Sequence, residues 1–341
     1  MNKTAKKACI ISGCVLGGIA ALFLLLYLVL ALIGCAMYGE ARRLREYACG
    51  IPDLGSGFAP QGIAYSQERD VYIHTGYDGD NSVRLYLVNG KNARRVRLTD
   101  GDGVTLKGHA GGVACVKDNV YIANDSVLVM FSLDELINAD GAVSAKRVIA
   151  VDNKASFCFA DDEHLYVGEF YRSGNYETIE AHRYVTPSGE ENRAIVSCYD
   201  VDENGWMSAE GVQPYPEYCI SVAGLVQGFA TVDGAFMLSR SYGLKNSALE
   251  YHSAPKDNGA TVSVSFEKNR NAQALDVPLY YLDGSTLVKK LTLPAFSEDL
   301  TVAHGKVIVT NEASANKYFV GKLFGANKAY GYPIFKEETT L

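Results

Sequence analysis

Six polar residues stand at or beside the starts of five short apolar segments, and their side chains are of the kinds that bind polar molecules. Carboxamides, carboxylates, an imidazole and an ammonium group that converge at the mouth of a cavity are a common composition for a ligand site. The six residues are Gln61, His109, Lys154, Gln227, Glu298 and Asp299. The structural alternative is that these side chains only satisfy backbone groups of neighbouring strands.

A smaller set of oxygen donors would suit a divalent cation. Ca²⁺ and Mg²⁺ are bound by carboxylate and carbonyl oxygens, and Asn124, Glu298 and Asn311 are the candidates to supply them. The sequence contains no nucleophile elbow, no His-Glu-x-x-His, no phosphate-binding loop and no Cys-x-x-Cys motif. These absences favour a binding function over catalysis.

Bringing such scattered residues together requires a repeating fold. The five segments begin near residues 62, 112, 156, 228 and 299 and share one pattern. A large apolar residue occupies the third position of each segment, namely Ile63, Val113, Phe157, Phe229 and Leu300. A small residue follows in every case, namely Ala64, Ala114, Cys158, Ala230 and Thr301.

Each segment is followed by a short polar turn and a run of β-branched or aromatic residues, which predicts a β-hairpin. These second strands are expected at residues 71–73, 120–122, 165–167, 236–238 and 307–309. A second hairpin is predicted in most repeats. Its strands are expected at 83–88 with 96–98, 128–133, 195–202, 278–282 with 287–293, and 318–323.

Two hairpins per repeat predict a four-stranded antiparallel blade, and repeats of about 40–50 residues are typical of a β-propeller. We therefore predict an all-β propeller of five blades, with room for a sixth in two insertions at residues 171–193 and 241–277. Residues 47–54 would supply the fourth strand of the last blade. The alternative is a two-domain β-sandwich. His182-Arg183 in the first insertion and Arg240-Ser241-Tyr242 at a strand end would face a ligand or pack in ordinary loops.

The openings Gln61-Gly62-Ile63-Ala64 and Gln227-Gly228-Phe229-Ala230 resemble the blade openings of secreted or membrane-anchored bacterial β-propellers of the NHL-type or gluconolactonase-like class. The likeness covers most of residues 59–335 and implies the propeller architecture. Gluconolactonase-type propellers bind a divalent cation in the channel through Glu, Asn and Asp, so the resemblance also implies a hydrolase or lactonase as an alternative. The ligand motifs of that family do not align onto this sequence.

The N-terminus predicts a membrane anchor. Lys3, Lys6 and Lys7 precede residues 8–39, which contain no charge, and the apolar run at 15–30 is long enough to begin a spanning helix. The basic N-terminus favours a cytoplasmic start and an external body, although arginines also follow the apolar run. Two alternatives are open: Leu32-Ile33-Gly34-Cys35 resembles a lipobox that would lipidate Cys35, and a cleaved signal would release the body.

Charge and cysteine content limit the partners. The three lysines are the only charges before Glu40, so the remainder carries 29 basic and 39 acidic residues, a net charge of −10. An acidic body is a poor partner for nucleic acid, and 48% hydrophobic residues argue against disorder. Cys198 and Cys219 flank a predicted hairpin, where they would form a disulfide or remain separate buried thiols.

These patterns predict three regions: a basic segment and transmembrane anchor at 1–39, a juxtamembrane linker at 40–58, and the propeller at 59–341. The expected function is that of an extracytoplasmic module on the cell membrane. It would contact lipid through the anchor and bind a small molecule, glycan or protein at its channel mouth. The alternatives are a cation-dependent hydrolase or lactonase with its site in the channel, using Ca²⁺ or another divalent cation, and a structural component of the envelope.

Overall fold

The computed structural model describes residues 3–318, 321 and 326–336, with the side chains of 3–11, 31 and 35 left aside. It divides into two compact units, Met1–Arg43 and Leu44–Leu341, which we describe separately.

The first unit consists mainly of helix α1, Lys3–Met37. A short helix, α2, follows α1 in the chain and spans Gly39–Leu44. The stretch Ser12–Gly34 has 23 residues and a mean hydropathy of 2.8. At a rise of about 1.5 Å per residue, this stretch is about 35 Å long and exceeds the hydrocarbon core of a bilayer, about 30 Å. By length and composition, α1 can therefore cross a membrane. The helix continues past Cys35, whose side chain lies outside the described set.

The second unit consists mostly of β-strands, as predicted for an all-β body. In chain order, they are β1 Glu46–Gly50, β2 Ala59–Ser66, β3 Val71–Tyr77, β4 Val83–Asn89, β5 Asn92–Thr99, β6 Gly112–Val116, β7 Asn119–Ser132, β8 Ala142–Ser144, β9 Arg147–Ala160, β10 His164–Glu169, β11 Tyr184–Val185, β12 Glu191–Asn192, β13 Ala194–Asp200, β14 Tyr218–Val222, β15 Val226–Val232, β16 Ala235–Arg240, β17 Ser247–His252, β18 Thr261–Val264, β19 Leu275–Tyr281, β20 Leu287–Leu293, β21 Ser297–Ala303, β22 Lys306–Asn311 and β23 Lys328–Pro333. A short helix, α3, spans Leu133–Asn138, and a 3-10 turn spans Glu180–His182.

Three of the sheets follow the expected four-strand plan. Strands β2 to β5 form an antiparallel meander, with the short β8 added in parallel at its edge. Strands β15, β16, β17 and β20 form the second of these sheets, and β21, β22, β23 and β1 the third. Strand β1 pairs with β23 (Tyr47 opposite Tyr330), so the fourth strand of the last sheet comes from the start of the body. A two-stranded ribbon of β11 and β12 lies outside these sheets.

The remaining strands form an eight-stranded sheet in the order β6, β7, β9, β10, β13, β14, β19, β18. Its two longest strands each have two parts. The N–H of Leu133 donates to the carbonyl of Asp118 at 2.8 Å, so the two ends of β7 are adjacent and the chain reverses near Asp125, whose φ is 61°. The first half of β9 pairs with β7 and its second half pairs with β10.

Five strands, which we call the inner strands, contact one another in cyclic order. Strand β2 contacts β6, β6 contacts β9, β9 contacts β15, β15 contacts β21, and β21 contacts β2. The repeated third-position residues, of which Ile63 and Phe157 are examples, lie on these strands and are fully buried. Small residues beside them allow the backbones to approach. A Cβ on Gly62 would lie 2.8 Å from the backbone of Val113, and one on Gly228 would lie 2.7 Å from Cα of Asp299.

One predicted hairpin is wrong. Strand β19 (residues 275–281) does not pair with β20 (287–293); it adds in parallel to β14 and pairs with β18. The partner of β20 is β17, which lies inside the segment predicted to be an insertion. The last predicted strand, 318–323, falls largely outside the described residues, and β23 occupies the third place in that sheet.

Of the two alternatives for Cys198 and Cys219, the disulfide does not form. Cys219 lies opposite Ser197 and Cys198 lies opposite Tyr218. Because neighbouring residues of a strand point to opposite faces, the two thiols lie on different faces of the sheet. Both are free and buried, which agrees with the alternative of separate buried thiols.

Candidate functional site

A cavity of about 940 Å³ lies at the end of the body where the inner strands begin. Five of the six residues predicted for the site line it, namely Gln61, His109, Lys154, Gln227 and Glu298, and so does the cation candidate Asn124. The sixth predicted residue, Asp299, lies below the cavity.

Irregular strand pairing explains how these side chains reach the cavity. The pairing of β2 with β3 shifts between Pro60 and Ile63, next to Gln61, and that of β21 with β22 shifts between Ser297 and Leu300, next to Glu298. A similar shift flanks Gln227 in β15. A β-bulge turns a side chain out of the regular alternation. The same local irregularity therefore recurs at three of the predicted site residues.

Two buried carboxyl groups form the floor of the cavity. Glu298 is 3% exposed and Glu312 is 7% exposed, and their side chains are hydrogen-bonded to each other. Burial and the neighbouring charge of Glu312 raise the pKa of Glu298 well above its usual range, and burial also raises the pKa of Glu312. Two carboxyl groups in contact cannot both ionise easily, so the pair retains a proton.

Gln61 connects this pair to His109. The amide nitrogen of Gln61 donates to Oε2 of Glu312 at 2.9 Å and to the carbonyl of Pro60 at 2.9 Å. Its amide oxygen lies 2.6 Å from Nε2 of His109, so that nitrogen carries the hydrogen. The cavity walls desolvate the ring and, with the charge of Lys317, lower the pKa of His109 to about 4, although the residue is exposed to the cavity. His109 is therefore a neutral donor near pH 7.

Aromatic rings line one side of the cavity. The rings of Tyr77 and His109 are 4.6 Å apart between centroids, and those of Phe296 and Tyr318 are also 4.6 Å apart. The ammonium group of Lys317 lies 4.9 Å from the Tyr77 centroid and 5.2 Å from that of Tyr318. Burial acts to lower the pKa of Lys317, but its hydrogen bond to Tyr77 and the charge of Glu312 outweigh it and raise that pKa. Lys317 therefore remains charged at the rim.

Asp299 has a structural position. Its Oδ2 accepts from the N–H of Ile63 at 3.2 Å and from the N–H of Val113 at 3.4 Å, so one carboxyl group joins three inner strands. Burial raises the pKa of this group well above its usual range. Asp299 therefore has the structural role considered above, because it satisfies backbone groups of neighbouring strands. Gln61 does not have this role, because it contacts the side chains of Glu312 and His109.

The candidate cation ligands do not converge as a set. The amide nitrogen of Asn311 donates to the carbonyl of Ala295 at 3.0 Å, and its oxygen accepts from the N–H of Ala313 at 2.9 Å. Asn124 lines the cavity but donates to the carbonyl of Lys107 at 3.0 Å. Of the three candidates, Glu298 alone has its carboxyl group at the floor of the cavity. Its hydrogen-bonded partner is Glu312, which was not among the candidates.

Glu312, Tyr77, Lys317 and Tyr318 were not predicted, because the six ligand-site candidates were taken from the starts of the first strands of the repeats. The second strand is antiparallel, so its last residues reach the end of the body where the first strand begins. Tyr77 ends β3 and Glu312 directly follows β22. The same rule accounts for Phe170 after β10 and for Tyr242 after β16, both of which line the cavity; Tyr242 belongs to the segment that was predicted to face a ligand or pack in a loop. Searching both ends of each predicted hairpin would have found Tyr77, Glu312 and Phe170, whereas Lys317 and Tyr318 lie in the loop that follows β22.

The chain matches no protein-family model, and no curated protein matches it. Solved structures with related folds include a gluconolactonase from Xanthomonas campestris, at 11% identity and a TM-score of 0.37, with 86% of this chain and 95% of that chain covered. The WD40 β-propeller domain of Doa1 gives 12% identity and a TM-score of 0.33 over 87% and 96% of the two chains. The β-propeller domain of Cps50 (Swd1) from Myceliophteria thermophila gives 8% identity and a TM-score of 0.37 over 85% and 100%. These neighbours are β-propellers. Because their sequence identities and TM-scores to this chain are low, the chemistry of the site is argued from this chain's own residues alone.

Proposed function

We propose that the body is a five-bladed β-propeller that binds a small hydroxylated ligand at the mouth of its central channel. The cyclic order of contacts among the inner strands supports the architecture. In this arrangement, the eight-stranded sheet comprises two blades joined through β9, and strand β1 completes the last blade.

The observation that carries the ligand site is the hydrogen-bonded pair of Glu298 and Glu312 at the floor of a cavity of about 940 Å³. Such a pair presents both a proton donor and acceptor oxygens, and Gln61 and His109 extend the set with an amide and a neutral imidazole. Ligand hydroxyl groups both donate and accept, so they match this floor. The cavity is within the size range of small-molecule sites, about 300–1,000 Å³.

The walls indicate which hydroxylated ligands fit best. Tyr77, Phe296 and Tyr318 offer aromatic faces, which pack against the C–H faces of a sugar ring, and Lys317 offers a positive charge at the rim. Lys107 and Lys154 also line the cavity. A saccharide bearing a carboxylate would use the floor, the aromatic faces and the lysines together.

Saturation-transfer NMR tests this proposal with glucuronate and glucose as probes and the full chain in a detergent without a sugar head group. We expect glucuronate to bind and glucose to bind more weakly, because glucose cannot pair with the lysines. Gln61→Ala should weaken glucuronate binding about 10-fold or more, since hydrogen bonds linked to charged groups contribute roughly 1.5–3 kcal/mol.

Gln67→Ala is the matched control because Gln67 follows the opposite end of the same strand and is exposed. Equal losses in the two variants, or no binding of either sugar to the wild-type chain, would contradict the proposal.

A divalent-cation-dependent hydrolase is the second candidate, and the Glu298–Glu312 pair is the observation that favours it. A cation that displaced the shared proton would be held by these two carboxylates, although Ca²⁺ usually takes six to eight oxygen ligands. Adding Ca²⁺ should raise the melting temperature of the wild-type chain if this candidate is right, and not that of Glu298→Gln. An unchanged wild-type melting temperature supports the binding module.

We also propose that α1 anchors the chain in the cell membrane with the propeller on the extracytoplasmic side. The length and hydropathy of residues 12–34 support the anchor, and the basic N-terminus supports the orientation. Protease added to intact cells should degrade the body, and alkaline carbonate should leave the chain in the membrane. Release by carbonate would indicate a cleaved signal, and metabolic labelling with palmitate would indicate lipidation of Cys35.

A further inference from the structure

Two groups of aromatic side chains line the cavity of about 940 Å³ at the channel mouth. The first, which we call the proximal group, comprises Tyr77, Phe296 and Tyr318. It adjoins the floor, because the hydroxyl group of Tyr318 donates to Oε1 of Glu312 at 2.8 Å. The second, which we call the distal group, comprises Phe170, Tyr176 and Tyr242. A single sugar ring at the floor would contact the proximal group and leave the distal group without a ligand.

The cyclic order of the inner strands places the two groups on different sides of the cavity. Tyr77 ends β3, which pairs with β2, and Phe296 directly precedes β21. Phe170 directly follows β10, which pairs with β9, and Tyr242 follows β16, which pairs with β15. In the cycle β2, β6, β9, β15, β21, the proximal group thus belongs to the neighbours β21 and β2, and the distal group to the neighbours β9 and β15. A ligand that contacts both groups must extend across the cavity.

The distal group forms a continuous aromatic surface. The ring of Phe170 is 5.5 Å from that of Tyr176 between centroids, with the planes at 76°, and 6.3 Å from that of Tyr242, with the planes at 27°. Tyr176 is 53% exposed, so its ring is accessible to a ligand. The face of an aromatic ring carries a partial negative charge and attracts the C–H groups of a sugar ring. The distal group therefore offers the same kind of surface as the proximal group.

Basic side chains accompany the distal group, as Lys317 accompanies the proximal group. Nζ of Lys154, which lines the cavity, donates at 2.9 Å to the carbonyl of Glu177, the residue after Tyr176. An ammonium group has three donors, so Lys154 can also bind a carboxylate of a ligand. The guanidinium carbon of Arg172 lies 4.1 Å from the ring centroid of Tyr242 and adds a second positive charge.

Hydrogen bonds hold the loop that carries Tyr176 in place. The N–H of Arg172 donates to the carbonyl of Tyr176 at 2.8 Å, and the N–H of Tyr176 donates back to the carbonyl of Arg172 at 2.9 Å. The carboxylate of Glu177 accepts from the N–H of Gly174 at 2.7 Å and pairs with the guanidinium group of Arg183 at 2.8 Å, which balances its charge. A surface that is already ordered loses little conformational freedom when a ligand binds.

We propose that the channel mouth has two saccharide subsites and that its ligand is an acidic oligosaccharide of at least two sugar rings. This inference rests on the proposed function, because the first ring would occupy the floor and the proximal group. The second ring would pack against Tyr176, with its carboxylate on Lys154. The cavity lies near the upper end of the size range of small-molecule sites, about 300–1,000 Å³, and one sugar ring is smaller than the drug-sized ligands of such sites.

Calorimetric titration of the full chain, in a detergent without a sugar head group, tests the proposal with glucuronate and its β-1,4-linked dimer. We expect the dimer to bind about 10-fold more tightly or better, because its second ring is tethered beside its subsite once the first ring is bound. Cellobiose, a neutral dimer, should bind more weakly than the acidic dimer because it cannot pair with the lysines. Tyr176→Ala should reduce the affinity for the acidic dimer to about that for glucuronate and leave glucuronate binding unchanged.

Tyr47→Ala is the matched control, because Tyr47 is similarly exposed, at 57%, and lies outside the cavity lining. Glucuronate binding to each variant also reports that the variant is folded. Equal affinities of the wild-type chain for glucuronate and its dimer, or an equal effect of Tyr176→Ala and Tyr47→Ala on dimer binding, would refute the second subsite and leave the proposed function standing. If neither glucuronate nor the dimer binds, both the proposed function and the second subsite are wrong.

Discussion

Replacing Glu298 by Gln should make the body more stable at neutral pH and remove part of its pH dependence. Glu298 is buried and its pKa is raised in the folded state by burial and by Glu312. The folded chain therefore retains a proton that the unfolded chain releases near pH 4.3–4.5. The stability contributed by the protonated pair is complete below that pH and is lost as the pH rises toward the folded-state pKa.

The expected size follows from proton linkage. One proton retained only by the folded state costs about 1.4 kcal/mol of unfolding free energy per pH unit. Above the unfolded pKa, the wild-type chain would thus lose at most about 1.4 kcal/mol per pH unit through this pair, until the pH reaches the folded-state pKa of Glu298. The glutamine introduced by Glu298→Gln would not titrate, and its amide would donate to Glu312 as the protonated acid does. The stability difference in favour of the variant should therefore increase with pH.

Urea unfolding of the full chain in detergent measures this difference, with fluorescence of Trp206, the single tryptophan, as the signal. Glu250→Gln is a control of opposite sign. Burial acts to raise the pKa of Glu250, but His252, Arg240 and Lys290 outweigh it and lower that pKa to about 2. Its stabilising effect is present above the unfolded pKa and is lost as the pH falls. Parallel pH profiles for wild type and Glu298→Gln would refute the shared proton.

Three further predictions concern the folded body. Gly62→Ala should lower the free energy of unfolding by about 1–3 kcal/mol or more, because its Cβ would lie 2.8 Å from the backbone of Val113. Gly79→Ala is the control, since a Cβ at Gly79 has no neighbour within 4 Å, and equal urea midpoints for the two variants would contradict the prediction. His74 is fully buried, and burial lowers its pKa to about 4. The stability that the neutral ring contributes is therefore lost as the pH falls from about 6.5 toward 4. His74→Leu should flatten that part of the pH profile of urea unfolding, and an unchanged slope would disprove the prediction. Because Cys198 and Cys219 occupy opposite sheet faces, a reductant should leave the melting temperature unchanged, and a decrease would reveal a disulfide.

The inner strands could be predicted from the sequence because the same pattern of buried residues recurs in each of them. Phe229 and Leu300 occupy the same position of their repeats and are both fully buried, and a large residue followed by a small one marks that position. Strand β17 was not recognised because it combines burial with Glu250 and His252. The charge of Glu250 is neutralised by Arg240 and Lys290, and no local pattern identifies such partners.

The site was predicted only in part for a similar reason. Gln61 and Glu298 begin inner strands and could be found from the repeat, whereas Glu312 is recognised only once the antiparallel partner strand is placed. Helix α3 could have been anticipated, since Oγ of Ser132 accepts from the N–H of Glu135 at 3.2 Å in a capping pattern visible in the sequence.

The carboxyl group of Asp299 has a consequence for ligand exchange. It connects β21 with β2 and β6 at the centre of the inner strands, below the cavity lined by Glu298. A different cavity, lined by residues such as Ser66 and His304, lies at the other end of those strands. Asp299 is fully buried, and the two cavities share no lining residue, so a molecule held at the mouth would enter and leave by the same opening. The residence time of the bound molecule would then depend on exchange through one face only, and an antibody fragment bound to that face would trap the molecule in the cavity.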